Sequence, residues 1–372
     1  MSGLGDRRSR DREIIVKVVV RGLPDADHPS LVRQLPADRT IGACRFLTDP
    51  AARGFDWLVV YDDLPRSKQL GGSLGYAMPL DCPRAHTLLV TSEPSSVNVY
   101  GRAFISQFGH VLSSQEPWAI PHPRHIHEQC GLVWFYGIGR SHAMTLAELA
   151  AMEPPDKPYV IATVCSSKQQ QHTLHNVRYA FTQALKTRIP ELEIFGHGVR
   201  AMDDKAEAVA PYKYHVAIEN HIAPHHFTEK LTDPFLGYAL PFYAGAPNAT
   251  DYFPPESFVA IDMFDVESAA RAIRKAIDDG LYEQRLPAIR AARRLVLERY
   301  GYFQMLARHI ARLDDPTLDA KPGDTILSRR AARRARPLTG ALDLATRAGV
   351  QVLNRFTLKG RAARLAHGAR QP

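Results

Sequence analysis

The stretch from Tyr212 to Gly245, YKYHVAIENHIAPHHFTEKLTDPFLGYALPFYAG, constrains the fold of this chain most. Tyr214–Ile218 is a β-prone run that ends in Glu219 and Asn220. A loop with His221, Pro224, His225 and His226 follows. Thr228-Glu229-Lys230 then reads as the start of a helix, and Leu240–Tyr243 as a second buried strand. Strand, loop, helix and strand in that order form the repeating unit of an open α/β sheet, whose ligands sit beyond the carboxyl ends of the strands. A helix N-terminus at that edge presents backbone N–H groups and a positive dipole end to an anion. Lys230 adds a full charge there, so the stretch reads as a phosphate site. Asp233-Pro234 inside the helix predicts either a kink or a restart with Asp233 as N-cap.

These residues also carry a resemblance. Ile218-Glu219-Asn220, a six-residue loop, Phe227-Thr228-Glu229-Lys230-Leu231 and then ALPFYAG resemble the donor-site signature of glycosyltransferase family 10, the α1,3/1,4-fucosyltransferases. In that family a FEN element precedes a Y-hydrophobic-TEK element. Ile218 stands here in the place of the Phe, and His226 in the place of the Tyr. The resemblance implies two facing Rossmann-like domains (the GT-B arrangement), with GDP-fucose on the second domain and a glycan acceptor on the first. It implies that Asn220, His226, Glu229 and Lys230 line the donor site.

A second element agrees. Tyr159–Cys165 reads as a strand, and a helix is predicted from about His172 to Arg188. Leu174, Val177, Phe181 and Leu185 recur at the spacing of one buried face. Arg178 lies beside that stripe, where the family has a pyrophosphate-binding arginine. A solvated helix arginine is the bland alternative, but the guanidinium fork suits bidentate phosphate binding better than lysine does.

The first half repeats the strand pattern. IIVKVVV (14–20), IGACRF (41–46), WLVVY (57–61) and TLLVT (87–91) are β-rich runs, and continuous apolar runs of this kind suit a parallel sheet buried on both faces. Residues 66–83 read as a surface loop, and 108–113 as a further short strand. Thr91-Ser92-Glu93-Pro94 puts a carboxylate at a strand tip, ahead of a helix predicted over 95–107. By resemblance to a T-G-E element, Glu93 is the base that takes the acceptor's proton. The alternative is an acid that caps the helix behind it. His122, His125 and His127 lie among prolines without a carboxylate or thiol partner, which favours a polar loop over a metal site. LVWFY (132–136) reads as core. No D-x-D motif sits in a donor crevice: Asp62-Asp63 reads as a turn, and Asp203-Asp204 opens a short helix. Activity without a tightly bound metal is therefore expected.

Pro154, Pro155 and Pro158 mark a linker, which places the domains at 1–151 and 152–312. A tail, 313–372, is expected beyond them and largely exposed up to 337. From Arg329 onward there are eleven basic residues and one acid, Asp343. That excess of ten exceeds the chain's net +8, so the remainder is close to neutral and specific nucleic-acid binding is not indicated. Leu342, Ala345, Val352, Leu353 and Phe356 fall near one helical face among these bases, as in a helix drawn to anionic lipid. Four widely spaced cysteines, a charged N-terminus and the lack of a long apolar run predict a cytoplasmic protein. It would lie on the inner face of the cytoplasmic membrane through 329–372. Two other readings fit the same residues: a transferase for another nucleotide sugar, which His226 allows, and a catalytically inert scaffold.

Overall fold

The computed structural model describes residues 12–21, 29–65, 77–131, 133–167 and 173–368, with side chains up to 353. The charged N-terminus to residue 11, the loop portion 66–76, Leu132, Lys168 and the Phe356 side chain lie outside the described residues. The chain divides into two compact units. One is Met1–Gly131 with Gly301–Ala348, and the other is Leu132–Tyr300 with Gly349–Pro372.

In the first unit, β1 is Ile14–Val20, β2 Thr40–Ile41, β3 Cys44–Leu47, β4 Trp57–Tyr61, β5 Ala77–Pro79, β6 Thr87–Val90, β7 His110–Ser113 and β8 His125–His127. Seven of these form one sheet in the order β2-β3-β1-β4-β6-β7-β8. Every pairing in it is parallel except β2 with β3. The apolar runs become interior strands because both of their faces are covered: Trp57–Tyr61 and Thr87–Val90 are buried at every position.

In the second unit, β9 is Tyr159–Val164, β10 Glu193–Phe195, β11 Tyr212–Ile218, β12 Leu240–Ala244 and β13 Val259–Ala260, in the all-parallel order β10-β9-β11-β12-β13. The central strand β11 holds the register Tyr214 to Leu240 and Ile218 to Ala244, so the ends of β11 and β12 are level. Helix His175–Arg188 buries Val177, Phe181 and Leu185 against this sheet, as their spacing predicts. Helix Glu229–Leu236 runs through Pro234 without a restart, capped at its start by Thr228. Both units are thus α/β with parallel sheets, the fold class expected from the sequence.

Several boundaries differ from those expected. The second unit begins twenty residues before the proline linker (132 rather than 152) because Trp134, Tyr136 and Leu149 pack into its core beside Phe235 and Ala292. The long helix expected over 282–312 is broken. Leu281–Leu295 ends in a π-helical turn, Val296–Tyr300, and the chain passes Gly301 into a separate helix, Tyr302–Leu313. That helix belongs to the first unit, where Phe303 meets Phe46 at 5.0 Å and Tyr302 meets Tyr61 at 5.1 Å between ring centroids. The segment 313–337 is not a free tail. β14, Thr325–Leu327, pairs antiparallel with β5 and buries Ile326. Arg329 is also buried, with its backbone N–H donating to Asp63 at 3.0 Å and its guanidinium 5.2 Å from the Tyr100 ring. Residues 125–127, expected in a loop, form the edge strand β8.

Candidate donor site

Because β9, β10, β11 and β12 run parallel, the segments that follow them emerge at one edge of the second sheet. A pocket of about 280 Å³ opens there. Arg178, Asn220, Glu229 and Lys230 all line it, together with His175 and Lys205.

Arg178 comes from the first turn of helix His175–Arg188 and is 93% buried, with 7% of its surface exposed. Its Nη1 donates to Asn220 Oδ1 at 2.9 Å, while its Nε is buried without a partner. A buried guanidinium N–H without an acceptor favours any anion that can reach it. Asn220 also accepts from the Leu174 N–H through its carbonyl, at 3.4 Å. It therefore ties the tip of β11 to the start of this helix and aims the arginine. Leu174, at the N-cap, has no side-chain acceptor for the first-turn amides.

The helix expected to hold the phosphate is built differently. At its start Thr228 accepts from the Lys230 N–H at 3.2 Å, and Glu219 accepts from the Thr228 N–H and Oγ1 at 2.7 Å each. Glu219 is fully buried and closes the loop 220–227 with these two bonds. Lys230 Nζ lies 2.9 Å from Glu229 Oε1 and 3.7 Å from Glu219 Oε2. Burial works against the lysine's charge, but the Glu229 and Glu219 carboxylates outweigh it and raise its pKa. Burial pushes Glu229 up, yet Lys230 and then Lys205 hold it at about 2. Burial raises the Glu219 carboxyl, against the pull of Lys230. Lys230 and Glu229 are therefore an ionised pair on the pocket wall. Arg178 pairs instead with a neutral amide and keeps its full charge for a ligand.

Nothing in the local sequence singles out Lys205. It begins a 3₁₀ turn, Lys205–Ala208, and its Nζ lies 2.7 Å from the buried Asp233 Oδ2 and 3.3 Å from the Glu229 carbonyl oxygen. It adds a third cation to the pocket from a segment whose pattern signals only a helix start. His226 does not line the pocket. It is buried, with its ring 5.3 Å from that of His221. The neighbouring His225 is pinned through its N–H to Asn248 Oδ1 at 2.7 Å and through Nδ1 to the Tyr252 hydroxyl at 2.6 Å.

In the first unit, Glu93 follows the carboxyl end of β6 and is exposed. No helix starts directly behind it: Pro94–Asn98 is a turn, and the helix spans only Arg102–Ile105. The first amides of that helix are taken by Asp343, at 2.9 and 3.1 Å. Capping of an adjacent helix is therefore not available to Glu93. Ser92 before it is fixed by Asp62, which accepts from the Ser92 N–H at 2.9 Å and also hydrogen-bonds the Ser92 and Tyr100 hydroxyls. His122 and His125 bond the carbonyl oxygens of Phe108 and Ser113 at 3.1 and 3.3 Å. No group of three His, Cys, Asp or Glu among the described residues is placed to hold a metal.

The family model for the C-terminal part of glycosyltransferase family 10 (fucosyltransferase) matches residues 154–283, the stretch that contains every pocket residue named above. Residues 154–283 belong to glycosyltransferase family 10. Relatives of this chain include the α-(1,3)-fucosyltransferase FucT of Helicobacter pylori, 30% identical over 94 residues, which are 24% of this chain and 19% of that protein. GDP-fucose protein O-fucosyltransferase 3 of Xenopus laevis is 35% identical over 88 residues, 22% of this chain and 19% of the relative. The matched stretch thus spans about a fifth of the length of either curated relative. Among solved structures, an α1,3-fucosyltransferase covers 86% of this chain and 95% of its own at 15% identity and a TM-score of 0.49. The same description with GDP-fucose bound covers 86% and 96% at 14% identity and 0.47.

Proposed function

We propose that this family-10 chain is an inverting fucosyltransferase that moves L-fucose from GDP-fucose to a glycan hydroxyl, with α1,3 linkage to a GlcNAc-type sugar of a surface glycan or lipopolysaccharide. The observation that carries the reading is the pocket that gathers Arg178, Lys205 and Lys230 at the strand ends of the family-10 region. The reading assigns the donor to the second unit and the acceptor to the first. Glu93 takes the proton from the acceptor hydroxyl as its oxygen attacks the anomeric carbon. The bond from that carbon to the diphosphate breaks, and the charge left on GDP falls to Arg178, with Lys230 beside it. The charge is thus met by side chains, and a chelator should leave turnover intact.

The test is incubation with GDP-fucose and a mixture of glycans, read by mass. A fucose-sized gain on a GlcNAc-containing acceptor, with inverted anomeric configuration by NMR, is expected. Transfer only from a different nucleotide sugar would replace the donor, and transfer from none would sink the enzyme reading.

The helix Pro337–Gly368 exposes Leu338, Leu342, Leu344, Val352 and Leu353, while Arg336 and Arg347 lie along the same segment. Among the described residues no helix is long and apolar enough to cross a membrane. The composition supports peripheral binding to an anionic bilayer. Vesicles with anionic lipid should sediment the full chain at low salt and release it as salt rises, whereas neutral vesicles should not. Equal binding to both would remove the electrostatic reading.

A further inference from the structure

Gln115 follows the end of β7 and is 1% exposed. Its Nε2 donates to two backbone carbonyls, that of Glu93 at 2.6 Å and that of Asn98 at 2.8 Å. One amide group thus bridges both ends of the turn that carries Glu93. Its own N–H donates to Ser113 Oγ at 3.0 Å, and Ser113 Oγ meets Thr91 Oγ1 at 2.6 Å. Thr91 directly follows β6 and Ser113 ends the neighbouring parallel strand β7, so the network fixes this turn to the carboxyl end of the sheet from inside. Asp62 fixes the preceding residue, Ser92, from the β4 side. The direction of an exposed carboxylate on a turn depends first on the backbone that bears it.

We infer that Gln115 is a positioning residue for Glu93, holding its peptide carbonyl so that the carboxylate is set for the acceptor proton. The inference rests on the proposed role of Glu93. The place calls for a donor to two carbonyl oxygens. An aspartate or glutamate cannot donate to two carbonyl oxygens, and its charge would sit close to that of Glu93.

Three variants of the full chain test this: Gln115→Ala, Gln115→Met, which fills similar volume without donating, and Gln115→Glu. Loss of fixed geometry should lower kcat by about 10- to 100-fold, with KM for GDP-fucose within twofold of the parent, since a misplacement of an ångström is worth about that much. Gln115→Glu should in addition move the acid limb of the kcat/KM profile to higher pH, because a second carboxylate disfavours ionisation of Glu93. Gln115→Ala should leave that limb in place. Added to Glu93→Gln, Gln115→Ala should cost little more. If Gln115→Ala does not fold, Gln115→Met carries the test. Parental kcat in Gln115→Met, a loss confined to KM for the donor, or losses that multiply in the double variant would each overturn the inference. If Glu93→Gln itself keeps parental turnover, the assignment of the base fails instead, whatever Gln115 does.

Discussion

Glu93→Gln is expected to lower kcat by about 10²- to 10⁴-fold and to leave the affinity for GDP within twofold of the parent. The magnitude is that of removing a general base from a hydroxyl attack. The selectivity follows from the fold. Glu93 sits on the first sheet's edge, while the pocket with Arg178, Asn220 and Lys230 belongs to the second unit. The exchange preserves volume, and Glu93 is exposed, so stability should change by less than about 0.5 kcal/mol. Initial rates at saturating acceptor, with GDP binding by calorimetry, decide the matter. Retained turnover would return Glu93 to the status of a surface acid.

Arg178→Ala is expected to reduce both donor affinity and turnover, with kcat/KM for GDP-fucose down by about 10³-fold or more. Electrostatic groups that meet the leaving charge are worth roughly 10²–10³ in kcat alone. Three features make Arg178 the most sensitive cation in the pocket. It is nine-tenths buried, it hydrogen-bonds a neutral amide, and its Nε has no partner. Lys230 and Lys205 share their charge with Glu229 and Asp233. Arg178→Lys should recover part of the affinity but not the whole, because a point charge cannot reproduce two parallel N–H donors. The substitution to Ala leaves Asn220 Oδ1 without its donor, at about 1 kcal/mol of stability. That loss is too small to explain a thousandfold fall. An Arg178→Ala protein that binds GDP as tightly as the parent would remove the diphosphate from this pocket.

Much of the fold is legible in the residues alone. Runs rich in β-branched and aromatic residues stand out at strand length, so the parallel α/β character of both units follows from Ile14–Val20, Trp57–Tyr61 and Tyr214–Ile218. The pairing of Asn220 with Arg178 is less open. Each lies at a recognisable strand tip or helix start, but only the register of β9 and β11 brings those ends together. The helix expected over 95–107 is mostly turn, because Gly101 has a φ of 85° and the helix begins only after it. The long helix over 282–312 fails for a related reason. Its apolar periodicity continues through Gly301, but the residues on either side of it pack into different units.

The resemblance to family 10 pointed to Arg178, Asn220, Glu229 and Lys230, and also to His226, which does not line the pocket. The sequence by itself determined the class of fold and the strand ends at which chemistry can occur. These are local matters, set by periodicity and by residue types within a turn or two. Tertiary structure alone decided that Lys205 lines the pocket with Arg178 and Lys230, that Glu219 locks the loop, that Gln115 reaches the backbone of Glu93, and that residues 301–348 complete the first unit. Each of those depends on side chains meeting across elements far apart in the chain. Such meetings are fixed by sheet order and packing, and no short window of residues encodes them.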